Sequence, residues 1–175
     1  MTTFTLDGLR ELLRQMEWAD ARVWRAVLDH PLAAHDTRLR DLLRHLHVVQ
    51  RAFLDIWTSV TPAFPTSDQF PDLAAVHAWS QPYYAELAAF LATIEDSSLS
   101  RSIDLPWLAE FEQLTGRRFE QPTLAETIVQ VTSHSTYHRG QVNARLREIG
   151  GEPPLVDYIA WIWFGKPVAE PLGTI

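Results

Sequence analysis

The chain predicts an all-α fold, a four-helix bundle. Three observations point there: four long stretches with apolar residues at helical spacing, start and stop signals at their ends, and only modest connections between them. Neighbouring helices joined this way pack mostly antiparallel.

The first helix is expected from about Leu6 to Leu28. Leu9, Leu12, Leu13, Met16, Ala19, Val23 and Val27 recur on one face, and His30-Pro31 closes it, because the residue before proline avoids helix. The second is expected over Thr37 to Ser59, capped by Asp36 or Thr37, with an apolar line of Leu39, Leu42, Leu46, Val49, Phe53 and Ile56. A loop with Pro62, Pro65 and Pro71 follows. The third helix should begin near Pro71 or Asp72 and end near Ile94, with a kink or break at Pro82. Residues 99–121 are mixed, and Leu99 to Ile103 reads as a short hairpin before the last long helix or as plain loop. Thr123 and Glu126 then match a capping box, which starts a helix running to about Glu148. Gly150-Gly151 and Pro153-Pro154 stop it. The apolar tail Leu155 to Phe164 reads as a strand or short helix folded back on the bundle.

The 175 residues suit one domain, residues 1–175, large enough to bury a core without staples. Hydrophobic residues make up 46% and aromatics 11%, which is a globular composition. Cysteine is absent, so thiolate ligands, disulfides and a Cys nucleophile are excluded, and any metal must be held by imidazole or oxygen. The net charge of -7 disfavours nucleic-acid partners. No window approaches the roughly 18 apolar residues of a membrane span. The opening MTTFTLDGLRELL lacks the pattern of a signal peptide, and the expected location is the cytoplasm.

Within the last long helix lies His134-Ser135-Thr136-Tyr137-His138. Two His four apart share one helix face, where their ring nitrogens can converge on a single ion. Leu124, Ile128, Val131, Val142 and Leu146 mark the expected inward seam, and both imidazoles fall beside it, so both are expected to point into the bundle. Protease chemistry is disfavoured, because Ser135 stands where the H-E-x-x-H motif needs its Glu. His45 is the best third ligand, lying three after Leu42 and four before Val49; a hydrogen-bonded core His is the alternative. His47, roughly 200° further round, should face away. His77 stays open as a ligand.

The segment from His134 to Val142, with Arg139-Gly140-Gln141 after the second His, resembles the H-x3-H-R-G-Q motif of the DinB/YfiT-like metalloenzyme family. Leu42-Leu43-Arg44-His45-Leu46 resembles that family's first ligand segment, and Leu146, Gly150, Pro153-Pro154 and Asp157 resemble its usual close. The likeness spans nearly the whole layout. It implies an up-down-down-up bundle and a three-His site, usually for zinc or nickel, with ligands His45, His134 and His138 and water in the remaining positions. This chain departs from many relatives by carrying Gln50 where they have Glu and Gln130 where they have His.

The resemblance also implies an activity. Relatives include transferases of low-molecular-weight thiols such as bacillithiol or mycothiol, and others look like hydrolases or isomerases. The expected function is a metal-dependent transferase joining a glutathione-like thiol to an electrophilic substrate; a hydrolase of the same fold, or a non-catalytic metal-binding stress-response protein, is the alternative. Tyr137, about 100° from the ligand face, is a weaker candidate as proton donor. Arg139 is expected to pair with a carboxylate, and Gln50 and Gln130 to orient ligands. The Trp-rich tail reads first as packing or a homodimer face, second as a pocket wall.

Overall fold

The computed structural model describes residues 4–170, so residues 1–3 and 171–175, the ends of the expected domain span, lie outside it. Among the described residues the regular elements are helices, and the pairing between Ser102 and Thr123 is an isolated bridge.

Helix α1 is Leu6–Leu28, with the Thr5 hydroxyl accepting from the Gly8 N–H at 3.2 Å to cap it. Helix α2 is Thr37–Trp57, capped by Asp36, whose carboxylate accepts from Leu39 N–H at 2.8 Å. The expected third helix is two: α3, Leu73–Ser80, and α4, Pro82–Ala92. Pro82 cannot donate to the carbonyl four residues back, and it opens α4 at the position where a missing N–H costs nothing.

Of the two readings left open for Leu99–Ile103, hairpin or loop, the described residues take the loop, with one isolated bridge. Asp96–Ser100 makes a 3-10 turn, and the segment is tied to the chain around the start of the last long helix by Ile103 N–H to Pro122 O and Leu124 N–H to Arg101 O, each 2.8 Å, and by the Ser102 hydroxyl to Gln121 Oε1 at 2.9 Å. Pro122 has no N–H to extend a ladder, and Thr123 already begins a helix cap. Between them lies α5, Leu108–Thr115, closed by Gly116 at φ 66.

Helix α6, Leu124–Glu148, starts at the predicted capping box. Thr123 N–H reaches the Glu126 carboxylate at 2.7 Å, and the Thr123 hydroxyl accepts from Glu126 N–H at 3.3 Å. It stops in a Schellman turn: Gly151 N–H donates to Leu146 O at 2.9 Å and Gly150 N–H to Arg147 O at 3.0 Å, with Gly150 at φ 86. The tail forms the short helix α7, Tyr158–Trp163, which lays Trp161 on Trp18 and Ala19 of α1.

Helix directions follow from which residues meet. Trp24 bonds His47 and Asp20 bonds Gln50, so α1 and α2 are antiparallel. Asp36 pairs with Arg145 and Trp57 with Thr127, so α2 and α6 are antiparallel. Arg51 pairs with Glu86 while Trp57 stacks on Phe90, so α4 runs alongside α2 in the same sense. The connectivity is therefore up-down-down-up.

The core has two apolar halves. One gathers Leu9, Leu13, Met16, Leu54, Trp57, Phe90 and Ile128; the other gathers Val23, Val27, Leu39, Leu43, Leu73, Val142 and Leu146. Between them, on α1, α2 and α6 alike, a layer of buried polar side chains crosses the bundle: Asp20, His47, Gln50, Ser135 and Arg139.

Candidate metal centre

At the level of that layer, α2 and α6 bring His45, His134 and His138 together. Their ring centroids lie 5.2 Å (45 to 134), 4.4 Å (45 to 138) and 4.2 Å (134 to 138) apart. One ring nitrogen from each lies within 4.8 Å of the other two. Three nitrogens at 2.0–2.1 Å from one ion would stand about 3.3 Å apart, so small ring movements suffice for a divalent cation.

Two further observations fit such an ion. The Nδ1 atom of His134 is shielded from solvent and has no hydrogen-bond partner, a costly state for a polar atom. The Nδ1–H of His138 donates to Gln141 Oε1 at 2.7 Å, which leaves the lone pair on Nε2. A metal-ligating His commonly has its other nitrogen held in this way. Gln141 is thus the orienting residue, a role the sequence suggested for Gln50 and Gln130. Gln50 instead lies in the core, and Gln130 is exposed. Replacing Gln141 with Leu is expected to weaken metal binding about 10- to 100-fold while leaving the melting temperature of the metal-free protein nearly unchanged, as competition with a metal-chelating dye would measure.

The cluster is not inside the bundle, as the seam pattern suggested. His45 is exposed, and His134 and His138 are half-buried in the groove between α2 and α6. The inward positions on α6 belong to Ser135 and Arg139, which continue the seam from Val131 to Val142. On α2 the buried line is Leu39, Leu43, Leu46, His47 and Gln50, one residue round from the line expected, so His47 faces inward rather than away.

His47 is completed on both nitrogens. Trp24 Nε1–H donates to its Nε2 at 2.7 Å, and its Nδ1–H donates to Gln50 Oε1 at 2.7 Å. The Gln50 amide donates to Asp20 at 2.7 Å and to the Ser135 hydroxyl at 3.0 Å. Asp20 also accepts from Arg139 at 2.8 Å and from the Tyr84 hydroxyl, and Arg139 donates to Thr136 Oγ1 at 2.9 Å. The carboxylate expected for Arg139 is therefore Asp20. This layer fixes Ser135 and Arg139, the inward neighbours of the two His on α6. The sequence did carry its signal: polar residues interrupt the apolar line of α1 at Asp20, of α2 at Gln50 and of α6 at Ser135 and Arg139.

The other His residues lie apart from the cluster. His77 is buried beside Trp24, 4.9 Å between rings, with its Nε2 2.9 Å from the Gln81 amide. His30 Nε2 bonds Ile149 O at 3.0 Å. Tyr137 is 65% exposed, its ring edge-on to His138 at 5.0 Å.

Electrostatics disfavour the charged forms of His45 and His134. Burial, then the neighbouring His138 and His45, hold His134 down to about 4. Burial, then His138 and Arg44, lower His45, and burial lowers His47. Folded protein thus binds fewer protons at these sites than unfolded chain does below the ordinary His value of about 6.5. Stability of the metal-free protein should therefore fall as pH drops from about 6.5 towards 4. Glu17 and Asp55, raised chiefly by burial, act in the opposite sense. Urea midpoints at successive pH values check it; a midpoint that stays level or rises on acidification contradicts it.

Fold and site together define a class: an all-α bundle with a solvent-accessible three-imidazole cluster fit for one divalent cation, set between its second and last long helices. The model of the DinB family matches residues 1–167, and the chain belongs to that family. A search of the curated proteins returns no match. Among the described residues, no helix is long and apolar enough to cross a membrane.

Proposed function

We propose that this protein is a metal-dependent enzyme in which His45, His134 and His138 hold one zinc or nickel ion, and that it transfers a low-molecular-weight thiol to an electrophilic small molecule. The observation that carries the reading is the exposed edge of the cluster. His45 opens to solvent while His134 and His138 are seated in the groove, so three imidazoles are presented with one side free for a ligand. When bound, the ion supplies Lewis acidity and favours the deprotonated form of a thiol or water.

The chain's own residues do the rest. Gln141 holds the His138 ring in the tautomer that turns a lone pair to the cluster. His134 stays unprotonated at neutral pH because burial disfavours its charge. Arg44, beside His45, adds positive potential and suits an anionic substrate group. With no cysteine in the chain, the thiol must come from a cosubstrate.

A purely structural ion has little to do here. Helices α2 and α6 are already joined by the Asp36–Arg145 ion pair, by Trp57 to Thr127, and by the apolar layer of Leu39, Leu43, Val142 and Leu146. The test is a conjugation assay with zinc- or nickel-loaded protein, glutathione or bacillithiol, and a chromogenic aryl halide. Metal-dependent product formation that disappears in His138→Ala is expected. Turnover indistinguishable from the uncatalysed background with every metal and thiol would overturn the transferase reading.

A further inference from the structure

We propose that a cleft on the reverse face of α6 is a binding site for a small zwitterion of the α-amino-acid kind, separate from the His cluster. Thr136, Gly140, Asn143 and Arg147 recur at helical spacing, roughly half a turn from His134 and His138. With Arg139, Gln15 of α1 and the Pro153 to Tyr158 segment they enclose about 420 Å³, within the range of small-molecule sites.

The cleft holds two opposite charges that have not found each other. Arg147 and Asp157, both at the exposed mouth, line it, and neither has an ion-pair or side-chain hydrogen-bond partner among the described residues. Asn143 adds an Oδ1 with no donor. One molecule carrying an ammonium and a carboxylate side by side answers all three: its ammonium faces Asp157 and, after rotation of the amide, Asn143 Oδ1, and its carboxylate faces Arg147.

Gly140 is the second observation. Glycine in mid-helix weakens the helix relative to alanine. Packing within the chain does not require it, since a Cβ there would meet nothing within 4 Å. What glycine does at this position is keep the floor of the cleft open.

Calorimetric titration of the full chain with glycine, L-alanine and L-glutamine tests this. Binding tighter than about 1 mM is expected, with N-acetylglycine and glycinamide each weaker by about tenfold or more. Arg147→Gln and Asp157→Asn should each weaken binding by about tenfold or more. Gly140→Leu should abolish it while keeping or raising the melting temperature, which separates a blocked cleft from a damaged fold. The proposal is overturned by no heat up to about 10 mM of any of the three amino acids, by acetate or methylamine binding as tightly as glycine, or by unchanged affinity in Gly140→Leu. The result should be the same with and without added metal, so it stands or falls apart from the enzyme reading.

Discussion

Replacing Asp20 with Ala is expected to lower stability by about 3–5 kcal/mol, a large part of the 5–15 kcal/mol that holds a typical domain folded. Asp20 and Arg139 are each 3% exposed and 2.8 Å apart. Removing the carboxylate leaves a guanidinium buried without its counter-charge. It also strips an acceptor from the Gln50 amide and the Tyr84 hydroxyl, and unpaired buried donors add their own penalty. The loss should reach the three-His cluster, because Arg139 directly follows His138 and Ser135 directly follows His134 on α6. Urea denaturation of Asp20→Ala and Asp20→Asn checks this. Asn keeps the volume and one acceptor oxygen, so it should fall between wild type and Ala. A cost below about 1 kcal/mol for Ala would mean that the polar layer does not pin the bundle.

The second large effect is on metal affinity. His134→Ala is expected to weaken zinc or nickel binding at least about 100-fold, because the two imidazoles left, His45 on α2 and His138 on α6, cannot replace three. The metal-free protein should lose no more than about 1 kcal/mol, since the substitution also removes the shielded, unpartnered Nδ1. Comparing dye-competition constants with urea midpoints for the same variant separates the two. Equal metal affinity in His134→Ala would remove that residue from the site.

Much of this was legible in local patterns. The ends of α1 and the start of α6 could be read because caps and proline act within a few residues: His30-Pro31 stops α1, and Thr123 with Glu126 starts α6. The closeness of His134 and His138 follows from four-residue spacing alone. The break at Gln81–Pro82 follows from the missing donor of Pro82. What could not be read was the rotation of α2 about its own axis. Its apolar arc is wide, because it packs against α1, α4 and α6 together. Leu42, Val49 and Ile56 therefore looked like a core line although each is only partly buried. That one-residue error sent His47 outward and hid the Trp24–His47–Gln50–Asp20–Arg139 layer. Three separate helices build that layer, and its registry is set by tertiary packing rather than by any local pattern. Gln141 escaped for a different reason: its task is defined by an Oε1 reaching a ring nitrogen one turn back, a geometry that spacing permits but does not demand.

The proposed function requires one cation held by the three imidazoles. X-ray absorption of the protein reconstituted with zinc, together with its metal content, tests it most directly. One ion per chain is predicted, with three imidazole nitrogens at about 2.0–2.1 Å and lighter oxygen scatterers completing the shell. A stoichiometry well below one, or an imidazole count that does not change in His138→Ala, would contradict it.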